Sequence, residues 1–142
     1  MARPDPELLA ASRYPYAIRA TTRFADVDPN RHINNVAMSA ILEDARSRYG
    51  QMTGMHNLTD YRVMIVSNYI DYTGEAQYPD PIDVHVGTLS VGRSSWTLAV
   101  LATQYGMPCA FARSVLVTTR DGRAAPLPEP FRAELLARLI RQ

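Results

Sequence analysis

Hydrophobic and polar positions alternate along residues 17–24, and this alternation predicts the first strand of the fold. The apolar phase consists of Ile18, Ala20, Thr22 and Phe24. Further along, apolar residues recur at helical spacing, at Val36, Ala37, Ala40, Ile41, Ala45 and Tyr49. This spacing predicts a helix over 36–49 with one broad buried face. We expect Asn34 or Asn35 to be its N-cap and Gly50 to end it.

The middle of the chain is mostly β-patterned. A polar loop over 51–60 precedes four strand-like runs, which lie at about 62–73, 82–91, 95–105 and 109–119. Turn-forming residues at 92–94 and 105–108 connect the last three runs. These connections are short enough to predict antiparallel hairpins.

A second helical pattern closes the chain. After Pro126, Pro128 and Pro130 break the strand pattern, the apolar spacing predicts an amphipathic helix over 130–141, with Phe131, Leu135, Leu136, Leu139 and Ile140 on its apolar face. The order strand, helix, four strands, helix predicts an α+β fold in which an antiparallel sheet wraps around the long first helix. At 142 residues, the chain is expected to form a single domain over 1–142 with its core at about 17–128.

Composition and charge narrow the classes of function. The chain is 46% hydrophobic and 20% charged with a net charge of +1, so nothing general attracts nucleic acid. We expect no membrane span, because no apolar run reaches about 18 residues. Residues 1–11 lack the basic start and apolar stretch of a signal peptide, so the cytoplasm is the expected location.

The inventory of reactive side chains excludes several chemistries. Cys109 is the only cysteine, and its apolar neighbours indicate a buried strand residue. All fifteen basic residues are arginines, which excludes a lysine nucleophile. The three histidines, at positions 32, 56 and 85, lack the spacing of metal ligands, and no glycine-rich nucleotide fingerprint is present. We therefore expect neither a metal nor a cofactor.

A polar loop between the first strand and the long helix carries the main candidate chemistry. Residues 24–35 read Phe-Ala-Asp-Val-Asp-Pro-Asn-Arg-His-Ile-Asn-Asn. A helix N-terminus presents unpaired N–H groups and the positive end of a dipole. A carboxylate just before it could attack a carbonyl, or direct water at it, while the amides hold the oxyanion. The loop therefore indicates acyl chemistry.

Each residue of this loop also has a structural interpretation. Asp28 precedes Pro29 and could simply initiate a turn. Asp26 is expected to be structural, by capping backbone amides in the loop. His32 could assist proton transfer or could orient the loop through hydrogen bonds.

Charged residues outside the loop also have a structural and a functional interpretation. Glu43 and Asp44 are expected to be solvated or paired with Arg46 and Arg48 at helical spacing. The hairpin at Arg93, Ser94 and Ser95 could bind a nucleotide phosphate or be an ordinary polar turn.

The loop at 26–35, the acidic helix segment at 42–46 and the hairpin at 91–95 together resemble the hotdog-fold thioesterases. The similarity is to the 4-hydroxybenzoyl-CoA thioesterase-like group and covers roughly residues 17–128. It implies a hotdog fold and an acyl-CoA thioesterase. By resemblance, Asp28 is the catalytic carboxylate, as nucleophile or general base, and the backbone N–H of Asn35 lies at the oxyanion position. Many members carry Gly where this chain has Arg31.

The resemblance has further implications for partners and assembly. Substrates on acyl carrier protein and a non-catalytic acyl-CoA-binding role are the alternatives, and Glu43 is a reserve catalytic acid. Hotdog domains pair edge to edge, so we expect a homodimer in which residues 69–72 face the Asp28 loop of the partner. Leu135 and Leu139 are predicted to add a contact that makes a homotetramer.

Overall fold

One antiparallel sheet dominates the computed structural model, which describes residues 3–141. Its six strands are β1 (Tyr16–Ala20), β2 (Arg62–Asp71), β3 (Ile82–Val91), β4 (Ser95–Gln104), β5 (Met107–Arg120) and β6 (Arg123–Ala124). Their order is β1-β3-β4-β5-β2, with β6 paired to the end of β5. The four predicted later strands are confirmed, and the last begins earlier than expected because Met107 already pairs with Gln104.

The long helix α1 (Asn35–Thr53) lies across one face of this sheet and confirms the α+β prediction. Its buried stripe includes Leu42, Ala45 and Tyr49, each no more than 2% exposed. They pack in one cluster with the inward side chains of the sheet, among them Val84, Val86, Leu98, Val100 and Ala112. The sheet therefore curls around the helix and buries the broad apolar face that the sequence predicts.

The helix begins where predicted but ends later. Asn34 is the N-cap, since its Oδ1 accepts the N–H of Ala37 at 2.8 Å. The expectation that Gly50 stops the helix is wrong. Gly54 stops it instead, in the left-handed region at φ 93°, with its N–H donating to carbonyls of the last turn. Gly50 stays helical and buried, so the predicted polar loop at 51–60 begins as helix.

The first strand is shorter than its alternating pattern predicts. Ala20 pairs with Ile82, the first residue of β3, so no neighbouring strand continues beyond this point. The Thr22 hydroxyl instead donates to the carbonyl of Asp80 at 3.1 Å. A 3-10 helix follows at Phe24–Asp26, and the Phe24 ring is 77% exposed rather than buried.

The closing helix is also shorter than predicted. It forms α2 (Glu129–Leu136), after which the chain pairs with β3 through Thr88 N–H to Arg138 O and Ile140 N–H to Thr88 O. Leu135 is 1% exposed in the main core, so it cannot form the tetramer contact predicted for it. Leu139 remains 43% exposed.

Strand β2 forms one edge of the sheet, opposite to β1, and exposes several large apolar side chains. Met64, Ile65, Val66 and Tyr69 are each at least 40% exposed. A β-bulge at Val66 interrupts the pairing with β5. Within residues 3–141, no helix is long and apolar enough to cross a membrane.

Candidate active site

The polar loop is attached to the segment that leads into β3. The Ile33 N–H donates to the carbonyl of Ala76 at 2.8 Å, and His32 forms a bridge with Gln77. Gln77 is fixed in turn by Gln104 at the end of β4, through two hydrogen bonds of 2.9 Å. The loop is therefore anchored to the end of the sheet where β3 starts and β4 stops.

Asp28 uses one carboxylate oxygen to hold this loop. Its Oδ1 accepts the backbone N–H groups of Asn30 at 2.8 Å and His32 at 3.0 Å. Backbone bonds from Asp28 N–H to His32 O and from Arg31 N–H to Asp28 O close the turn. Within residues 3–141, Oδ2 has no hydrogen-bond partner. The carboxylate is thus oriented through one oxygen while the other stays open.

Arg31 adopts a conformation that glycine tolerates better. Its φ is 67°, in the left-handed region. Side chains with a Cβ are strained there by about 1–2 kcal/mol. The backbone geometry therefore explains why the resemblance predicts glycine at this position.

The start of α1 provides open backbone donors beside this loop. Asn34 N–H and Nδ2 both donate to the carbonyl of Asp26, at 2.8 and 2.9 Å, while the Asn34 side chain caps Ala37. In the part of the chain that the structure describes, the N–H groups of Asn35 and Val36 have no acceptor, as expected for a first helical turn. The hydroxyl of Tyr72 donates to the Asn35 carbonyl at 3.2 Å. These open amides suit an anionic oxygen.

Asp26 has a structural role, but it forms an ion pair instead of the expected caps on backbone amides. Its carboxylate forms a two-point ion pair with Arg23, at 2.8 and 2.9 Å, instead of capping amides. The hydrogen bonds of Arg23 lower the pKa of Asp26, against a small opposing effect of burial. Asp26 is therefore tied up by its own cation, unlike Asp28.

The ring of His32 faces a carboxylate that sequence reasoning missed. Its Nε2 lies 3.0 Å from Oε2 of Glu75, which is exposed. The backbone of His32, not its ring, holds the Asp28 turn. Glu75 lies in an irregular segment without periodic pattern or motif, so no sequence signal would have found it.

The two acidic residues of α1, Glu43 and Asp44, differ in their ion-pair partners. Asp44 pairs with Arg48 at 2.8 Å, as expected. Glu43 has no ion-pair partner within residues 3–141, although its charge acts on Arg46. Glu43 lines a separate cavity of about 220 Å³ toward the other end of the helix.

The hairpin with Arg93, Ser94 and Ser95 lies far from Asp28 in the same protomer. It joins the ends of β3 and β4 opposite to those that hold the Asp28 loop. Ten strand residues span about 33 Å. Carbonyls of the hairpin accept hydrogen bonds from Leu127 and Thr118, which leaves the exposed Arg93 side chain outside the core. One protomer therefore does not bring the two groups together.

Cys109 is buried, and residues 3–141 hold no potential metal cluster. Burial raises the pKa of the Cys109 thiol to about 11, and the residue is 1% exposed, so the expected buried strand cysteine is confirmed. No cluster of three or more His, Cys, Asp or Glu side chains could hold a metal ion among residues 3–141.

Comparison with known proteins places this geometry in context. A family model described as thioesterase-like superfamily matches residues 22–135. A Thermus thermophilus thioesterase, solved in complex with coenzyme A and Zn, is 34% identical, with a TM-score of 0.76 over 87% of this chain and 94% of that one. The Bacillus subtilis protein YsmA, described as uncharacterized, is 27% identical over 83% of each chain.

Fold similarity extends further. A Pseudomonas aeruginosa protein is 24% identical and superposes with a TM-score of 0.81, over 93% of this chain and 97% of that one. The predicted hotdog fold, a curled antiparallel sheet around a helix, is confirmed by these matches.

Proposed function

We propose that this chain, which belongs to the thioesterase-like superfamily, hydrolyses an acyl-CoA thioester to the free acid and CoA. The observation that carries the proposal is the state of Asp28. Its carboxylate is oriented through Oδ1 and open at Oδ2, beside helix amides that have no acceptor among residues 3–141. A binding protein has no need of such a carboxylate.

Two mechanisms use this arrangement. In the first, Oδ2 of Asp28 attacks the thioester carbonyl, the thiolate leaves, and water hydrolyses the resulting mixed anhydride. In the second, Oδ2 takes a proton from water, that water attacks the carbonyl carbon, and the C–S bond breaks as the CoA thiolate leaves. In both, the carbonyl oxygen becomes an oxyanion, which the N–H of Asn35 stabilises. His32, held near Glu75, is proposed to assist proton transfer at this end of the loop.

Recognition of the CoA nucleotide is proposed to involve a second protomer. The exposed apolar edge of β2 is a surface that a second copy can cover. Two-fold antiparallel pairing of β2 places the Asp71 end of one strand beside the Arg62 end of the other. The hairpin of Arg93, Ser94 and Ser95 lies near the Arg62 end, because Ser95 and Met64 both pair with Val117. The partner's hairpin would thus approach the Asp28 end.

The Thermus relative supports the ligand class, because it was solved with coenzyme A bound. An acyl-carrier-protein substrate remains the alternative, and a panel of acyl-CoA and acyl-carrier-protein thioesters separates the two.

Asp28→Asn tests the proposal directly. We expect a loss of roughly 10²–10⁴-fold in kcat/KM on the best acyl-CoA, because the variant removes the nucleophile or base while keeping an acceptor oxygen for the turn. Steady-state thiol release measures it, with circular dichroism as a check on folding.

Asp26→Asn is the matched control, two residues away in the same loop. It breaks the Arg23 pair and is expected to lower stability while turnover stays close to that of the wild type. Near wild-type hydrolysis by Asp28→Asn would remove Asp28 from the mechanism, whereas binding of acyl-CoA without hydrolysis by the wild type would favour the non-catalytic alternative.

A further inference from the structure

A cavity under the second half of α1 combines an apolar lining with one cation. Its volume is about 220 Å³, and its apolar walls include Tyr49, Ile65, Leu98 and Leu116. Among residues 3–141, two charged side chains line it, the half-buried Arg46 and the exposed Glu43. An apolar site whose half-buried charged group is a cation suits a ligand that has an apolar body and a negatively charged end.

The Arg46 guanidinium lacks a charged partner. Nη1 donates to the hydroxyl of Ser114 at 3.3 Å, and that hydroxyl donates to Oδ1 of Asn68 at 2.8 Å. Both partners are neutral. In the chain from 3 to 141, no carboxylate lies within 4.0 Å of the guanidinium, including that of Glu43. A half-buried cation without a counter-ion is costly, so a bound anion would be stabilising.

The partial burial of Arg46 also favours a bound anion. Desolvation lowers the pKa of the guanidinium, opposed by the nearby charge of Glu43. Arginine stays protonated in proteins, so the positive charge persists and is available for a two-point bond to a carboxylate.

We propose that Arg46 selects acyl groups that carry a carboxylate at the end distant from the thioester, so that the preferred substrates are mono-CoA thioesters of dicarboxylic acids. This inference rests on the proposed thioesterase function and adds a substrate class to it. The apolar walls contact the methylene chain, and the guanidinium binds the distal carboxylate.

The acyl group reaches this cavity from the partner's thioester site. Within one protomer, Asn35 and Arg46 are separated by about 16 Å along the helix, at 1.5 Å per residue. The cavity, however, adjoins Val63 and Ile65 at the start of β2, whereas Tyr72, just past its end, contacts Asn35. Antiparallel pairing of two β2 edges places the cavity of one protomer next to the Asp28 end of the other.

Matched pairs of thioesters test the selectivity. Adipoyl-CoA and hexanoyl-CoA, and suberoyl-CoA and octanoyl-CoA, differ only in the distal carboxylate. We expect the wild type to prefer the dicarboxylic member. Arg46→Gln should lower kcat/KM for that member by about ten- to a hundredfold, the usual size of a lost charged hydrogen bond. The loss on the monocarboxylic member should be far smaller. Arg48→Gln, at an exposed arginine two residues further along α1, is the control and should leave the preference intact.

A mixture of variants tests the shared site. Asp28→Asn protomers keep Arg46, and Arg46→Gln protomers keep Asp28. In a randomly mixed dimer population, a site built from both protomers recovers about a quarter of the wild-type adipoyl-CoA activity. A site built within one protomer recovers none.

Several outcomes would overturn the inference. Hexanoyl-CoA hydrolysis without any dicarboxylic preference would refute the role of Arg46 and leave the thioesterase proposal standing. Equal losses on both substrates together with dimer dissociation would make Arg46 an interface residue. Calorimetry on Asp28→Asn measures the binding of both esters and separates the two proposals further. If Asp28→Asn prefers the dicarboxylic ester and the double variant with Arg46→Gln does not, the role of the cavity is supported even if no ester is hydrolysed.

Discussion

At the scale of single residues, the site depends on how each charge is partnered. Asp26, Asp44 and Asp83 are each paired with an arginine, and these pairs are surface contacts of small individual value. Asp28 is different, because only backbone amides hold it. The carboxylate that we propose to react is thus oriented by backbone amides through one oxygen, and its second oxygen has no hydrogen-bond partner within residues 3–141.

A substitution at Arg93 tests whether this residue contacts the CoA nucleotide. Arg93→Ala should weaken hydrolysis of intact acyl-CoA more than that of the corresponding acyl-pantetheine, which lacks the nucleotide phosphates that an arginine would contact. The ratio of the two kcat/KM values measures the effect. Equal changes on both substrates would remove Arg93 from the phosphate site.

We expect His85 to make the stability of the protein depend on pH. Burial lowers the pKa of His85 below 6.5, against the opposing charge of Asp83, and the ring lies 3.2 Å from the Thr103 hydroxyl. The unfolded chain therefore binds more protons near this pKa, so stability is present above about pH 6.5 and is lost as the pH falls through the folded value.

Denaturant unfolding across a pH series measures this contribution. The free energy of unfolding should fall less steeply on acidification in His85→Gln than in the wild type. His56→Gln, an exposed histidine, is the control. Parallel curves for the wild type and His85→Gln would contradict the assignment.

At the scale of elements, α1 contributes to two proposed sites. Its N-terminus supplies the open amides beside its own Asp28 loop, and its second half covers the cavity with Arg46, which is proposed to serve the site of the partner. Both ends of the helix are defined by caps. Asn34 fixes where the amides begin, and Gly54 fixes where the covered cavity ends.

Substitutions at Gly54 test how much the left-handed backbone at the end of α1 matters for stability. Its φ of 93° disfavours any residue with a Cβ, although the nearest atom to such a Cβ, Nδ2 of Asn57, is 3.9 Å away. Gly54→Ala should lower the free energy of unfolding by about 1 kcal/mol through backbone strain alone. Gly54→Asn should cost less, because asparagine tolerates this region better. Chemical denaturation measures both, and identical costs would argue against strain as the cause.

At the scale of the whole molecule, the exposed β2 edge is the surface where we expect a second copy to bind. Unpaired apolar edges are a liability that proteins cover. A dimer joined there would also complete the proposed site by bringing the partner's hairpin and cavity to the Asp28 end. Homodimerisation thus stays a prediction with a specific structural purpose, and the exposed Leu139 is left as the proposed contact for a tetramer.

A substitution at Val66 tests whether β2 forms the dimer interface. Val66→Lys places a charge at the 57% exposed bulge of β2 and should weaken dimerisation by at least about tenfold, with a parallel loss of thioesterase activity. Met107→Lys, at a 70% exposed methionine on β5, is the control. Light scattering across a dilution series follows the mass. A fully active species of monomer mass would refute both the interface and the shared site.

The sequence by itself determined the elements and the loop. Periodicity of two and of 3.6 predicted the strands and α1, and a polar loop before a capped helix predicted the candidate chemistry, because these signals depend on near neighbours in the chain. The roles of Asp28, His32 and Asn35 remain predictions. Their arrangement in one turn at the helix start was accessible because all three lie within eight residues.

Only the tertiary structure decided what depends on distant contacts. The end of β1 was set by where β3 begins, so alternation alone overextended the strand to Phe24. Gly50 stayed helical because the chain reaches its left-handed turn only at Gly54. The burial of Leu135 and the place of Arg46 in the cavity under α1 arise from packing between α1, α2 and the sheet. Such contacts join residues that are far apart in the chain, so no local pattern encodes them.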